Sequence, residues 1–511
     1  MPSRRTLSLA LLLAVATLLT ASAAFPAGLS FRKTLLGTFG GPFSEVASGG
    51  LNNAGQAVGE SDNPSGLSRP FLWSAAGGMV DLGPGESGWE GVAMRVNEAG
   101  EVSGNLWYLY GFTTVRGFYW SPDAGRVDIS VDPAWNSSTS AMNNFGAVTL
   151  AAGQGPSGFM IWQDPHPYVW TLTGGFTPLA PEVGEPLGWA RGINDAGQVV
   201  GASFSTPSPT GIIPPARPFR YTPGVGVERF PRFDGVESGE IHEINRRGDA
   251  LVTLDRVLNN NPSTRDYSAL YWAADGTVTD MVGKAGSRSE ARYLNNRGEA
   301  CGRTVIGGKT HAFYWSPETG MVDIGASFPY DSDADGMNNL GHVVGYHLAV
   351  ENEWDSLRGY FWSKETGVVD LGPGRAWAIN DSDLLGGYSN NGDGTYQAAV
   401  WTRGAGPSDP PPADPCSIDW LKSRVAALSH AAVLKTGAAR SLTAKLNAAG
   451  ALQAKGKEKA ADKTLAAFTK EVRALVKTRR LPAADGDALT ACSSKPCHHP
   501  ERDGKDRKGK H

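Results

Sequence analysis

The chain has 511 residues, a formal net charge of −4, only 19% charged residues, and 65 glycines and 15 tryptophans. That balance favours turn-rich β structure with aromatic packing over a helical protein. Beyond the first twenty residues no run approaches the roughly 18 consecutive apolar residues of a membrane-spanning helix, so no transmembrane segment is expected.

Taken in chain order, the N-terminus reads as a secretory signal over residues 1–23. Arg4 and Arg5 are the basic region, Leu7 to Leu19 the apolar stretch and Ala21-Ser22-Ala23 the small-residue cleavage site. Ser3-Arg4-Arg5 leaves the export route open between the general and twin-arginine pathways. The expected localisation is secreted or associated with a bacterial cell surface.

From residue 30 to 403 a unit of about 47 residues recurs eight times. Its marker is an apolar-Asn-x-x-Gly turn at Asn52/Gly55, Asn97/Gly100, Asn143/Gly146, Asn194/Gly197, Asn245/Gly248, Asn295/Gly298 and Asn338/Gly341, with Asn380/Asp383 as a degenerate eighth copy. Asn at the first turn position bonds the backbone two residues on, and Gly at the fourth accepts the left-handed conformation. Each unit divides into four short strands. The first ends in Asp-Leu-Gly or similar (Asp81, Asp128, Asp323, Asp370). The second enters the turn behind a mostly small residue four before the Asn (Ser48, Ala93, Thr139, Ala190, Ala291, Ala334, Ala376). The third leaves the turn, as in Val199-Val200-Gly201, and the fourth ends aromatic-x-Trp (Trp73, Trp120, Trp315, Trp362). Four strands in such a period match a propeller blade. The predicted fold is therefore mainly β, an eight-bladed propeller, with seven blades as the alternative because copies three and five carry Leu150 and Val252 in place of the late glycine. Lys33 to Gly37 aligns with the Asp-Leu-Gly strand and is expected to complete the last blade, removing a free sheet edge.

The run Trp189 to Gly201 followed by the aromatic-x-Trp strand resembles the bacterial HAF-type extracellular repeat. The resemblance covers residues 30–403 and implies a secreted, propeller-like protein to which no catalytic residues carry over.

Residues 404–415 are a Pro/Gly-rich linker, which acts as a semi-rigid spacer. Over 416–492 the apolar period changes to three and four: Ile418, Leu421, Val425 and Leu428; then Leu442, Leu446 and Ala449; then Leu465, Phe468, Val472 and Leu475; then a short fourth helix opened by Pro482. A small antiparallel bundle is expected. Its spacing is similar to the FIMAH-type helical module of secreted bacterial proteins, which implies an accessory interaction role. Residues 416–511 carry 20 Lys/Arg against 9 Asp/Glu, whereas 25–415 carry 25 against 42. The basic part is thus segregated and suited to an acidic partner or to the acidic module itself. Cys416 and Cys492 bracket the bundle and are the expected disulfide, with Cys497 a competing partner. Cys301 sits at a core position of its repeat and reads as a buried free thiol. The tail 493–511 is polar and expected to be disordered.

Candidate chemistry is sparse. Asp331, Asp333 and Asp335, alternating before Gly336, form the kind of acidic run that holds calcium, although the usual distal glutamate is missing. The plainer reading is a solvated strand entrance. Gly83 to Gly88 fits a dinucleotide fingerprint by letter but lacks the strand-to-helix context. Arg247-Gly248-Asp249 matches an adhesion tripeptide inside a repeat turn. The strand-end aspartates, Asp280 among them, are spread round the repeats and cannot form one site. No Gly-x-Ser-x-Gly, His-Glu-x-x-His or phosphate-binding loop is present. The expected function is a secreted, non-catalytic binding or scaffolding module. Its expected partner is an extracellular ligand such as a polysaccharide or acidic polymer, with no specific nucleic-acid partner. The alternative is a polysaccharide hydrolase or lyase with its site in the central funnel, for which His242, Glu243 and Asp335 are the candidates. Residues three before each Asn (Met94, Arg191, His242, Arg292, Asp335, Trp377) differ most between copies, and the face they occupy is left open.

Overall fold

The computed structural model describes residues 29–490 except 84–87, 109–113, 155–163, 180–184, 186, 206–214, 233–237, 258–264, 393–394, 454, 456, 479, 483–485 and 487–488; within 405–433 it describes only Ile418, Leu421, Lys422, Val425 and Leu428. The signal segment, linker and tail, and Cys416, Cys492 and Cys497 with their expected bridge, lie outside the described residues.

Six four-stranded antiparallel sheets follow one another in the chain, each with its strands in sequence order. A seven-stranded sheet comes last, in which the long strand Gly367–Ile379 serves two units. Its first part pairs with Leu357–Ser363 and its second with Leu385–Asn390, so the sheet is two repeat units fused end to end. The N-terminal strand Ser30–Gly37 pairs antiparallel with Tyr396–Gly404, supplying the eighth unit with the outer strand that the C-terminal segment does not make. The architecture is mainly β and propeller-like.

The Asn turn explains how the units are joined. In each copy the Asn carbonyl accepts the amide of the turn's fourth residue, as from Gly55 to Asn52 at 3.2 Å. The Asn Oδ1 accepts the amide four residues on, as from Gln56 at 2.9 Å. The seven turn glycines have φ between 71° and 89°, the left-handed region, and in the eighth copy Asp383 takes it at 57°. That leaves Nδ2 free to reach the next unit. Asn52 donates to the carbonyl of Asn97, Asn97 to Asn143, Asn143 to Asn194, Asn194 to Asn245, Asn245 to Asn295, Asn295 to Asn338, Asn338 to Asn380, and Asn380 back to Asn52, at 2.9–3.3 Å. All eight asparagines are buried. An aspartate has the turn acceptor but not this donor, which is why the letter is Asn.

A second circuit follows the next residue. Main-chain amides of Glu98, Arg246, Asn296, Asn339 and Asp381 donate to the side chains of Asn144, Asn296, Asn339, Asp381 and Asn53. Where Arg246 cannot accept, an ion pair to Asp195 at 3.1 Å takes the place of that link.

Each sheet begins at the strand that enters the Asn turn, so the aromatic-x-Trp strand is its third and the Asp-Leu-Gly strand its outer fourth; the aromatics of the third strands pack between units, as expected. Tyr119 lies 5.4 Å from Trp170, Tyr271 5.1 Å from Trp315 and Tyr314 5.2 Å from Trp362, each pair spanning consecutive repeats. The late glycine has its own cause. A β-bulge interrupts every first strand one residue after the small position, and it presses the inner carbonyl against the neighbouring strand. A Cβ on Gly201 would meet the Trp189 carbonyl oxygen at 2.2 Å. In the first repeat it is Val46, not Ser48, that pairs with the equivalent glycine, Gly59. Two extra residues there form a wider bulge, with Gly49 at φ 69°.

In the C-terminal part, helices α1 (Thr436–Gln453) and α2 (Glu458–Lys477) pack together. Leu442, Leu446, Leu465, Phe468 and Val472 share one buried cluster with Ile418, Leu421, Val425 and Leu428. No described helix is long and apolar enough to cross a membrane.

Candidate functional site

The first strands of the units line the centre. Their Asn turns form the circuit, and Ser48 of the first repeat meets Tyr293 of the sixth at 2.6 Å between hydroxyls, although those units are not neighbours in it. Arg95 of the second repeat reaches the Ser48 carbonyl at 2.6 Å. This strap therefore crosses the central space.

Two columns of inner-strand residues carry the chemistry. One holds the bulge residues Met94, Ser140, Arg191, His242, Arg292, Asp335 and Trp377, which drop out of the cross-strand register. The other lies just before the bulge. Paired to the second strand there are Glu45, Val92, Ser138, Trp189, Glu240, Glu290, Asp333 and Arg375. Repeats two to four carry no ionisable group at this position, while repeats five to eight and the first do. The two columns meet. Arg292 chelates Glu290 at 2.9 Å through both nitrogens, and Arg375 chelates Asp335 at 2.8 and 2.9 Å. Arg303 contacts Glu290 at 2.9 Å and Asp333 at 3.4 Å. The Arg375 guanidinium lies 4.4 Å from the Tyr346 ring centre and 4.7 Å from that of Trp377, and the Trp377 indole N–H donates to the Val46 carbonyl.

Burial and charge set the protonation pattern. Burial pushes Asp333 up to about 7, helped by the charge of Asp335 and opposed by Arg292, Arg303 and Arg375. Its Oδ1 is buried with no hydrogen-bond partner among the described residues. Burial pushes Glu45 to about 8, with the charge of Glu60 directly across the strand pair adding to it and Arg375 opposing. Burial also raises Glu243 to about 7 against Arg95. For Glu290 burial acts upward, but the Arg292 hydrogen bonds and the Arg292 and Arg303 charges outweigh it and hold the carboxyl near 2. Burial keeps His242 below its ordinary value despite Glu290 and Glu240, with Arg191 and Arg292 acting alongside burial. Its Nε2 lies 3.0 Å from the Thr253 hydroxyl.

A cavity of about 520 Å³ opens between the fifth and sixth repeats, lined by Glu240, His242, Tyr267, Arg288, Glu290 and Arg303 among others. It lies at the end of the sheets away from the Asn turns. That end also carries the variable connections. The first-to-second-strand turn is always five residues, whereas the fully described links from second to third strand run from two residues after Ile306 to eight after Leu348.

The residues singled out as calcium ligands take separate partners. Asp331 accepts the Thr310 amide at 2.9 Å, Asp333 faces Arg303, and Asp335 is held by Arg375. Among the described residues no three His, Cys, Asp or Glu side chains converge as a metal-holding group. Of the enzyme candidates, His242 lines the cavity while Asp335 is tied into the arginine network. In the adhesion-like tripeptide Arg247 bonds Asp249 at 2.8 Å, and Asp249 is buried. The dinucleotide-like run falls mostly on 84–87, outside the described residues. The strand-end aspartates cap the turns that follow them: Asp81 accepts from Gly83 and Asp370 from Gly372. Cys301 is buried and free.

No protein-family model and no curated protein matches the chain. Solved structures similar to it include TolB from Acinetobacter baumannii (12% identity, 62% of this chain and 80% of that one, TM-score 0.30). Virginiamycin B lyase from Staphylococcus aureus is another (7% identity, 67% and 98%, TM-score 0.36). A third is prolyl oligopeptidase B from Galerina marginata (10% identity, TM-score 0.44); there the match takes in 68% of this chain but only 51% of the peptidase. Likeness at these scores carries no conclusion about activity.

Proposed function

We propose that the eight repeats form a closed eight-bladed β-propeller, exported from the cytoplasm. It acts as a non-catalytic binding module for an extracellular polymer, with the C-terminal helices as an accessory interaction element of the FIMAH kind. Eight asparagine links that return to their start, and an N-terminal strand completing the last unit, support the blade count. The observation that carries the binding reading is the contiguous charged and aromatic arc at the pre-bulge and bulge columns of repeats five to eight and one. It breaks the repeat where the repeat needs nothing from it. Its acids are largely held by arginines, an arrangement that presents fixed donors and acceptors to a polar ligand. In the basic module the positive charge offers a separate surface for an acidic envelope component.

A second reading, a polysaccharide hydrolase or lyase, has one observation in its favour: His242, kept neutral by burial, stands in the cavity wall with Glu240 and Glu290. Incubation of the purified chain with a polysaccharide panel tests the two together. Affinity electrophoresis showing retention, with no new reducing ends or unsaturated products, is the expected result. Product release that His242→Ala abolishes would replace the binding reading with the enzymatic one.

A further inference from the structure

The cavity between the fifth and sixth repeats has features that the scaffold does not explain. Its volume, about 520 Å³, lies within the roughly 300–1,000 Å³ of small-molecule sites. Two of its charged groups, the Glu240 carboxylate and the Arg288 guanidinium, have no hydrogen-bond or ion-pair partner among the described residues, and both residues are exposed. Arg288 also adopts φ 48°, a left-handed backbone that costs a non-glycine residue energy. Its amide is fixed there by Asp266 at 3.0 Å, across the gap from the fifth repeat. On the sixth-repeat side only Gly307 and Gly308 connect the second and third strands, so nothing from that link overhangs the opening. The walls add the hydroxyls of Thr253, Tyr267 and Thr310 and the Glu290–Arg303 pair.

The charge balance narrows the ligand. Glu290 is neutralised by two arginines, and the rest of the wall sets the acids Glu240 and Asp255 against the single base Arg288. An anionic polymer would meet net repulsion, and a simple cation would find no converging acids. A carboxylate and a guanidinium, each with paired oxygens or nitrogens, beside hydroxyls and an aromatic face, suit vicinal hydroxyl groups on a neutral ring.

We propose that this cavity is a binding site for a neutral oligosaccharide of a few pyranose units, with Glu240 accepting from and Arg288 donating to adjacent hydroxyls and Tyr267 covering a ring face. The proposal rests on the binding reading above and names its site and ligand class.

The test is a titration of the full chain with neutral cello-, xylo-, manno-, malto- and chito-oligosaccharides, alongside oligogalacturonate and heparin fragments, followed by variants. Binding of at least one neutral series is expected. Glu240→Gln and Arg288→Ala should each weaken it at least tenfold with an unchanged melting temperature. Ser138→Ala, at the equivalent position of the third repeat, should leave it intact. Neutral sugars that bind equally well to both cavity variants would overturn the site and leave the binding function standing. Binding confined to the anionic fragments would overturn the ligand class. Absence of binding to every probe, in the panel retention assay as well, would bring down both readings.

Discussion

Two rings of side chains run round the inner strands, and they obey different rules. The asparagine ring is the same letter eight times, buried, with every donor and acceptor used within the scaffold. The pre-bulge ring, five residues earlier in most units, changes letter at nearly every step, and three of its eight members carry no ionisable group. Uniformity in the first shows that its job is the same at every joint. Variation in the second, with its ionisable groups confined to one arc, shows that the shared joint does not depend on it. The first ring holds the protein together and the second gives one side of it a chemical identity.

The largest effect should come from breaking the uniform ring. Asn295→Asp removes the donor to the Asn338 carbonyl and sets a carboxylate where Nδ2 lies 2.6 Å from Glu299. A buried acceptor left unsatisfied together with a buried like-charge contact should cost about 3–5 kcal/mol in a urea denaturation series. A loss below about 1 kcal/mol would mean that the circuit is a by-product of the turns and does not hold the units.

Next comes the variable ring. Arg375→Gln leaves Asp335, nearly fully buried, without its chelating partner and should destabilise by about 3 kcal/mol. Replacing both partners together, Arg375→Met with Asp335→Leu, should recover most of that loss, because the pair's desolvation is removed with its attraction. If the double variant is as unstable as the single one, the arc contributes to the scaffold and the contrast between the rings weakens.

Acidity offers a subtler separation. Glu45, Asp333 and Glu243 hold their protons up to about 8, 7 and 7, above the ordinary values of 4.5, 3.8 and 4.5. As pH rises through about 4–8, the unfolded chain has released these protons while the folded chain retains them, so the folded state binds more protons and stability falls with pH. Glu290, held near 2, acts in the opposite sense: its contribution is present above 4.5 and is lost as pH falls toward 2. The melting temperature should therefore rise as the pH is lowered from 8 to about 6.5, below which His242 and His347, whose protonation burial disfavours, begin to oppose the rise. Glu45→Gln should flatten the upper part of that slope. A stability that rises with pH over this window would show that these acids are charged in the folded protein.

The scaffold was legible because repetition averages over accident. Asn-x-x-Gly seven times and Asn-x-x-Asp once, with aromatic-x-Trp in step, specified four-strand units, a turn and an N-terminal strand pairing with the last of them. What the turn's chemistry alone did not reveal is where Nδ2 goes, since a side-chain bond to a residue 42–51 positions away leaves no local mark. The site was legible only in part. Variation at the bulge column singled out His242, Arg292, Asp335 and Trp377. The same comparison made at Glu240, Glu290, Asp333 and Arg375 would have shown the charged arc. The acidic run Asp331–Asp335 looked like ligand spacing because its partners, Arg303 and Arg375, come from strands 30 or more residues away. The first repeat's two-residue insertion also hid that Val46, and not Ser48, fills the small-residue slot.

The smallest effect belongs to a letter that recurs as the asparagines do but in a different environment. Asp81 ends its unit's last strand, accepts the Gly83 amide at 2.7 Å and pairs with Arg69 at 3.2 Å at the exposed surface. Asp81→Asn keeps an oxygen for the amide and loses only a solvent-screened ion pair, so its cost should stay within about 0.5 kcal/mol. Asp370 with Arg358 repeats the arrangement and should respond alike. Set beside Asn295→Asp, the exchange is the same pair of letters run backwards, and the expected gap of several kcal/mol between them comes from burial and from which atom faces the neighbouring unit. A large loss at Asp81 would mean that recurrence itself tracks energetic weight, and the argument from burial that separates the two rings would fail with it.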